Sequence, residues 1–363
     1  MVNYKKFFII SLAISLISAV AIIFLTTDAQ TIDALKQIRV EYIIGALLLQ
    51  ILSYVLTARK TKFLLRSLGY HIRTRHALEN VLTGILLASL TPSSVGGEPV
   101  RILLLRKNTN VPVGKATAVI FMERLLDAFF IFICLIPTLF ILRSFLASES
   151  GKGIWGIDTL LFIGIVCLFI LLAFLVYAII RPEFAKKVSR KILIFAEKKA
   201  PAKYKARINK MIIMSENEID LFQSSFKRFI SVGKLNLIVA IFYTVIYWIV
   251  HFSVLWLILL GLNVSPSLLL MFATQVVLAI IMTIPATPGS SGVMEIAAFT
   301  LFSLFVPGSV LGVTVIAWRA ITYYVNILAG ALASLKVIRK YGINAFGSEI
   351  SPEKEMEMLD PNN

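Results

Sequence analysis

The chain has 363 residues, of which 58% are hydrophobic and only 15% are charged, and its formal net charge is +16. This composition excludes a water-soluble globular domain as the main body of the chain. We therefore expect a multi-pass protein of the cell membrane.

Apolar runs long enough, or nearly so, to cross about 30 Å of hydrocarbon as helices occur six times along the chain. They are Phe7–Leu25, Tyr42–Thr57, Ala116–Leu142, Leu160–Ile180, Leu235–Leu260 and Val310–Leu335. The first run contains the sequence Ala19-Val20-Ala21, which resembles a signal-peptidase site. Because the apolar residues continue beyond that site, we expect an uncleaved transmembrane helix there.

Basic residues are concentrated in alternate connections between these runs. The clusters are Lys5–Lys6, Arg59–Arg75, Arg106–Lys115, Arg181–Lys234 and Lys336–Lys340. Since lysine and arginine collect in cytoplasmic loops, this distribution predicts that both termini are cytoplasmic.

Two further segments, Leu78–Leu105 and Leu268–Phe305, have flanks of the same charge character on both sides. A segment with matching flanks returns to the side that it left, so each is expected to be a re-entrant helical hairpin. The predicted fold class is an all-α polytopic membrane protein with about six full transmembrane helices and two re-entrant hairpins.

The tips of the two predicted hairpins contain related phrases, TPSSVGGE at Thr91–Glu98 and TPGSSGVME at Thr287–Glu295. Each hairpin is followed by an apolar helix with one internal arginine, Arg124 or Arg319, and the two helices are expected to run in opposite directions. This pattern is typical of inverted-repeat transporters. Chance is the alternative, because such phrases are common where helices end.

The repeat divides a predicted membrane domain at residues 1–343 into a first half at about 41–180 and a second half at about 235–340. Residues 181–234 contain 14 basic and 5 acidic residues and are expected to form amphipathic helices on the cytoplasmic membrane surface. Residues 344–363 form an acidic tail that is expected to be disordered.

Ionised side chains inside the apolar runs are the strongest functional signal, because each costs about 2.5–3.5 kcal/mol at the bilayer centre. They must pair with one another or line a polar cavity. The candidate substrate-binding residues are Glu98, Arg101, Glu123, Arg124, Asp127, Thr287, Pro288, Gly289, Ser290, Gly292, Glu295, Arg319 and Tyr323. Arginines together with helix N-termini at the hairpin tips favour a phosphate group. The alternative is that these charges form structural ion pairs that only specify helix packing.

The ordered motifs TPSSVGGEPVR, ERLLD, TPGSSGVME and WR also carry a family resemblance. The chain resembles the transmembrane flippase region of bacterial lysylphosphatidylglycerol synthases, over roughly Lys6–Lys340. In those synthases this region moves aminoacylated phosphatidylglycerol between leaflets. The resemblance implies a lipid-translocating fold in which the charged positions of both halves line the head-group path. No soluble aminoacyl-transfer domain is expected within these 363 residues, and Ser93-Ser94-Val95 stands where many relatives have a more glycine-rich tip.

The expected function is therefore lipid transport through a polar cavity, without catalytic residues, metal or cofactor. The alternative is a membrane-embedded subunit or accessory protein of a lipid-modifying or polyprenyl-phosphate glycosyltransferase pathway. No HExxH, GxSxG, CxxC or Walker sequence supports an enzyme. The expected partners are the membrane and a phospholipid or other anionic lipid, with homo-oligomerisation left open and no nucleic acid.

Overall fold

The computed structural model describes residues 36–91, 96–148, 202–282 and 292–341, together with scattered positions between 166 and 191. These residues are helical wherever they are regular, and nine helices have defined bounds. They are α1 (Val40–Ser67), α2 (Thr74–Leu90), α3 (Gly97–Thr109), α4 (Val113–Ser148), α5 (Ala202–Ile230), α6 (Lys234–Gly261), α7 (Leu268–Ile281), α8 (Val293–Phe302) and α9 (Gly308–Tyr341).

Four of the described helices, α1, α4, α6 and α9, are long and apolar enough to span a membrane. The prediction of an all-helical membrane protein is confirmed. The predicted spans at Phe7–Leu25 and, almost entirely, Leu160–Ile180 lie outside the described residues. Helix α1 continues well beyond the predicted end at Thr57, because the following lysines, arginines and leucines are good helix formers. It ends before Gly69, which has a positive φ of 87°.

Helices α1 and α6 form an antiparallel pair. At one end, the backbone N–H of Arg39 donates to the carbonyl of Gly261 at 2.9 Å. At the other end, the Ser67 hydroxyl donates to the carbonyl of Gly233 at 3.3 Å. The start of each helix therefore lies beside the end of the other.

The helix ends define two faces of the molecule. Tyr341, at the end of α9, donates its hydroxyl proton to Asn108 of α3 at 2.6 Å. Arg228 of α5 donates to the Ser67 carbonyl at the end of α1 at 3.3 Å. We call this side, which carries the basic clusters, the basic face. The opposite face contains the contact between Arg39 and Gly261.

Two helical hairpins have arms shorter than a full span. Helices α2 and α3 have 17 and 13 residues, and α7 and α8 have 14 and 10. At 1.5 Å per residue the arms are about 15–26 Å long, whereas a full crossing needs about 30 Å. The first hairpin opens on the basic face and packs against α9, while the second opens on the opposite face and packs against α4.

The first hairpin is held together by close backbone contact. A side-chain carbon added at Gly97 of α3 would lie 2.3 Å from the carbonyl oxygen of Gly84 in α2. At the contact with α9, a carbon added at Gly330 would lie 2.7 Å from the carbonyl oxygen of Leu82. Glycine is required at these positions because the neighbouring backbone leaves no space for a side chain.

Helix α5 lies in the segment predicted to form basic amphipathic helices. Its C-terminal half packs against α4, where Phe222 and Phe226 meet Phe121 edge to face at centroid distances of 5.4 and 6.0 Å. The Glu218 carboxylate accepts the backbone N–H of Gly114 at the start of α4. A carboxylate at a helix N-terminus is favourable, and this half of α5 is therefore attached to α4.

We expect Gly97→Ala to destabilise the protein by about 1–3 kcal/mol, because the added methyl group overlaps the Gly84 carbonyl. The thermal unfolding midpoint of detergent-solubilised protein measures this effect. Gly308→Ala is the matched control, since a carbon added there meets nothing within 4 Å. Equal midpoints for both variants would contradict the close packing of α2 and α3.

Candidate functional site

Two arginines reach the same depth of the structure from opposite faces. Arg124 is eleven residues beyond Val113, the first residue of α4, and Arg319 is eleven beyond Gly308, the first residue of α9. Each is therefore about 16 Å along its helix. Because α4 starts at the basic face and α9 starts at the opposite face, both arginines lie near the middle of the helical assembly.

Each arginine pairs with a glutamate in the first turn of the second arm of a hairpin. Arg124 Nε lies 3.0 Å from Oε1 of Glu98, and Arg319 Nε lies 2.9 Å from Oε1 of Glu295. The same atoms make the contact in both pairs. The Glu and Arg positions that the repeated motifs singled out are thus brought together within each half of the chain.

The two pairs differ in exposure. The side chain of Arg124 is 50% exposed and that of Glu98 is 27% exposed, whereas the corresponding values for Arg319 and Glu295 are 7% and 2%. The ring of Tyr323 covers Arg319, with its centroid 4.2 Å from the guanidinium carbon. The second carboxylate oxygen of Glu295 accepts the backbone N–H of Gly292 at 2.6 Å. The first pair is open and the second is sealed.

The exposed surface of Arg124 faces the interior of the helical assembly rather than lipid. The exposed apolar side chains of α4 form one stripe, Phe129, Ile133, Ile136 and Phe140. At 100° per residue, this stripe is centred about 150° around the helix from Arg124. One turn before and after Arg124, Ile120 and Ala128 are buried. The guanidinium of Arg124 is therefore exposed on the inner side of its helix, beside Glu98 and Asp127, and we call the region around these three groups the polar space.

A second ion pair of the first half is fully enclosed. Arg101 lies 2.7 Å from the carboxylate of Glu123, and both side chains are at most 4% exposed. Arg101 also donates to Asn80 at 3.1 Å and to the hydroxyl of Thr61 at 3.2 Å, and Thr61 in turn donates to Glu123. These hydrogen bonds connect α1, α2, α3 and α4. Arg101 and Glu123 thus hold together the helices around the open pair.

Lys60 of α1 is a member of the cluster that sequence reasoning missed. Its ammonium group lies 2.7 Å from Asp127 Oδ1, and its side chain is 2% exposed. The indole N–H of Trp248 donates to the same oxygen at 3.3 Å, while Oδ2 of Asp127 lies 3.6 Å from Arg124. Lys60 was placed in the cytoplasmic cluster Arg59–Arg75, and that interpretation is wrong because its side chain turns inward.

A sequence signal for Lys60 exists in the spacing of polar residues along α1. The polar side chains at helical spacing are Gln50, Ser53, Thr57, Lys60 and Thr61. Residues three or four apart share a helix face, so this stripe predicts an inward-facing lysine. At the end of this stripe nearer the opposite face, the Gln50 amide donates to Asn326 of α9 at 2.8 Å in a partly buried contact.

Residues 8–330 match the family described as the lysylphosphatidylglycerol synthase TM region. The chain belongs to this family. It is 34% identical to a UPF0104 membrane protein of Archaeoglobus fulgidus over 325 residues, which cover 87% of this chain and 93% of that protein. It is also 29% identical to a UPF0104 membrane protein of Methanocaldococcus jannaschii over 303 residues, covering 83% and 86%. The resemblance drawn from the motifs is confirmed, as is a multi-pass membrane protein.

In this member of the lysylphosphatidylglycerol synthase TM region family, the second half carries fewer charges than the first. The sequence Trp318-Arg319-Ala-Ile-Thr322 occupies the place of Glu123-Arg124-Leu-Leu-Asp127. A π-helical turn at Ala320–Tyr324 directly follows Arg319. Such turns are frequent at functional sites.

Four of the predicted site residues, Thr287, Pro288, Gly289 and Ser290, lie outside the described residues. Gly292 lies at the start of α8 with a φ of 85°, a conformation that favours glycine. Among the residues that the structure describes, no group of three His, Cys, Asp or Glu side chains is arranged to hold a metal ion. The roles of the candidate residues in binding stay predictions.

The two glutamates are expected to differ in their contribution to stability. Glu295→Ala leaves a buried guanidinium without its carboxylate, which costs about 3–5 kcal/mol. Glu98→Ala affects a partly exposed pair and costs about 1 kcal/mol or less. The measurement is the thermal unfolding midpoint of each variant in one detergent. Similar decreases in the unfolding midpoint for both variants would contradict the description of the first pair as open and the second as sealed.

Proposed function

We propose that the protein transports lipids: the head group of a phospholipid, or of another lipid with an anionic group, crosses the membrane through the polar space beside Arg124. The observation that carries this proposal is the open Glu98–Arg124 pair at mid-depth on the inner side of α4. A guanidinium that keeps exposed donors in a low-dielectric interior suits a phosphate group. The acyl chains of the lipid would stay in the bilayer.

The arrangement of helices supports an inverted repeat with two re-entrant hairpins. The first unit is α1–α4 and the second is α6–α9. Helices α1 and α6 are antiparallel, the hairpins open on opposite faces, and each hairpin packs against the last helix of the other unit. Inverted-repeat transporters bind their substrates at broken helices near the bilayer midplane. Both glutamates of this protein lie at the start of a short hairpin arm, near the middle of the helical assembly.

The difference between the two ion pairs supports a mechanism of alternating access. In the structure, the Glu98–Arg124 pair is accessible and the Glu295–Arg319 pair is closed by Tyr323 and by the start of α8. A transporter built from two inverted units reaches its second state when the units exchange conformations. In that state the Glu295–Arg319 pair would open and the Glu98–Arg124 pair would close.

The basic face is expected to be cytoplasmic. In a background in which Cys134 and Cys167 are replaced by alanine, single cysteines at Arg75 and Ser265 report on the two faces, since both positions are exposed. We expect a membrane-impermeant maleimide added to intact cells to label Ser265→Cys and to leave Arg75→Cys unlabelled until the cells are lysed. The opposite result would reverse the proposed orientation.

Transport is tested with purified protein in vesicles that contain acyl-labelled fluorescent phospholipids, whose movement between leaflets is followed by dithionite quenching. We expect Arg124→Gln to slow this movement by at least about tenfold, which corresponds to about 1.4 kcal/mol in the barrier. Arg75→Gln is the matched control, because Arg75 also pairs with a carboxylate, at 3.2 Å, but its side chain is 79% exposed on the basic face. Equal rates for both variants would refute a role of the open pair in transport.

A further inference from the structure

The charges of the first-half cluster cancel. Three cations, Lys60, Arg101 and Arg124, each lie within about 3 Å of a different carboxylate, at 2.7, 2.7 and 3.0 Å. The carboxylates are those of Asp127, Glu123 and Glu98. Among the residues that the structure describes, the formal charge of the cluster is therefore zero.

Only three of these six groups are accessible to a ligand. The exposed fractions of Arg124, Glu98 and Asp127 are 50%, 27% and 13%, whereas Lys60, Arg101 and Glu123 are at most 4% exposed. A head group entering the polar space thus meets one guanidinium between two carboxylates. The guanidinium suits a phosphate, and the carboxylates suit an ammonium group beside it.

The balance of charge decides which head group this site accepts. A head group with a phosphate alone brings one uncompensated negative charge into a poorly solvated interior, which is unfavourable. A head group with both a phosphate and an ammonium brings no net charge into the interior. Its two charges can replace part of the contact between Arg124 and the flanking carboxylates while the total stays at zero.

Lys60 sets this balance without touching the ligand. It binds one oxygen of Asp127 at 2.7 Å, whereas Arg124 is 3.6 Å from the other oxygen. Lys60 thereby draws Asp127 away from Arg124 and cancels its charge. Without Lys60, the cluster would have a formal charge of −1, and Asp127 would compete with a phosphate for Arg124.

We propose that Lys60 is a specificity-determining residue, which makes the site neutral so that it selects head groups carrying both a phosphate and an ammonium over head groups carrying a phosphate alone. This inference rests on the proposed transport function. It names a class of substrate within that function and assigns the selection to a buried lysine.

The test compares two acyl-labelled probes with identical chains, one with a phosphoethanolamine head group and one with a phosphoglycerol head group, in the vesicle assay described above. We expect wild-type protein to move phosphoethanolamine at least about tenfold faster, since an uncompensated charge at membrane depth costs more than the equivalent of a tenfold change in rate. Equal rates, or faster movement of phosphoglycerol, would overturn the inference while leaving lipid transport intact.

Charge variants of the Lys60–Asp127 pair test the role of the lysine itself. Asp127→Asn gives the cluster a charge of +1 and is expected to lower the ratio of phosphoethanolamine to phosphoglycerol rates several-fold. Lys60→Met gives the cluster a charge of −1 and is expected to raise this ratio. The double variant Lys60→Met/Asp127→Asn leaves the cluster neutral and is expected to restore the wild-type ratio. A lysine with only a structural role would change both rates together, and the ratio would stay constant.

The outcomes of the two proposals are separable. If neither probe moves faster than in protein-free vesicles, the transport function fails. If both move and the wild-type ratio is near one, or if Asp127→Asn and the double variant share one ratio, only the selectivity assigned to Lys60 fails. Size-exclusion chromatography in detergent shows whether each variant folds. If a variant does not fold, the ratio of phosphoethanolamine to phosphoglycerol rates in the wild-type protein still decides the inference.

Discussion

An ionised side chain in the interior of a membrane protein must find a partner, and this requirement organises the described structure. Each of the two hairpins brings a glutamate to the middle of the helical assembly, where it meets an arginine of the helix that follows. A short hairpin arm is needed for this contact, because only a helix that starts at mid-depth presents its first turn there. The short hairpin arms are therefore needed to bring the glutamates to the buried arginines, and the ion pairs in turn stabilise helix ends at that depth.

The same requirement explains why the cluster of the first half is so extensively connected. Enclosing Arg101 and Glu123 is tolerable because the guanidinium also bonds Asn80 and Thr61, so that few donors remain unsatisfied. At the matching positions the second half has Trp318 and Thr322. Among its described residues, the Glu295–Arg319 ion pair is covered by the aromatic ring of Tyr323. Two units of similar topology thus differ in chemistry, and the polar half is the one that carries the proposed ligand site.

The helical membrane architecture and the charged residues of the central ion pairs could be predicted from the sequence, because both produce strong local signals, whereas the pairing itself is seen only in the structure. A long apolar run forms a membrane helix, and a charged residue within it must pair or line a polar cavity. Glu98 and Arg124 are predicted as site residues for this reason. The position of Lys60 could not be deduced from charge distribution, because a lysine near the end of a helix normally extends to the membrane surface. Only the polar stripe of α1 and the carboxylate of Asp127 on another helix turn it inward. Likewise, the different exposure of the two Glu–Arg pairs depends on packing between distant segments, which residue spacing does not encode.

The glycine contact between α2 and α9 links the two halves of the molecule. At Gly330 the backbones approach so closely that the first hairpin and the last helix cannot slide apart without losing their packing. Helix α9 also holds Arg319, eleven residues before Gly330 in the chain. The arm that precedes Glu98 and the helix that contains the sealed arginine therefore belong to one stiff block. In the proposed transport cycle, a displacement of α2 would therefore also displace α9, so the Glu98–Arg124 and Glu295–Arg319 pairs would not open and close independently.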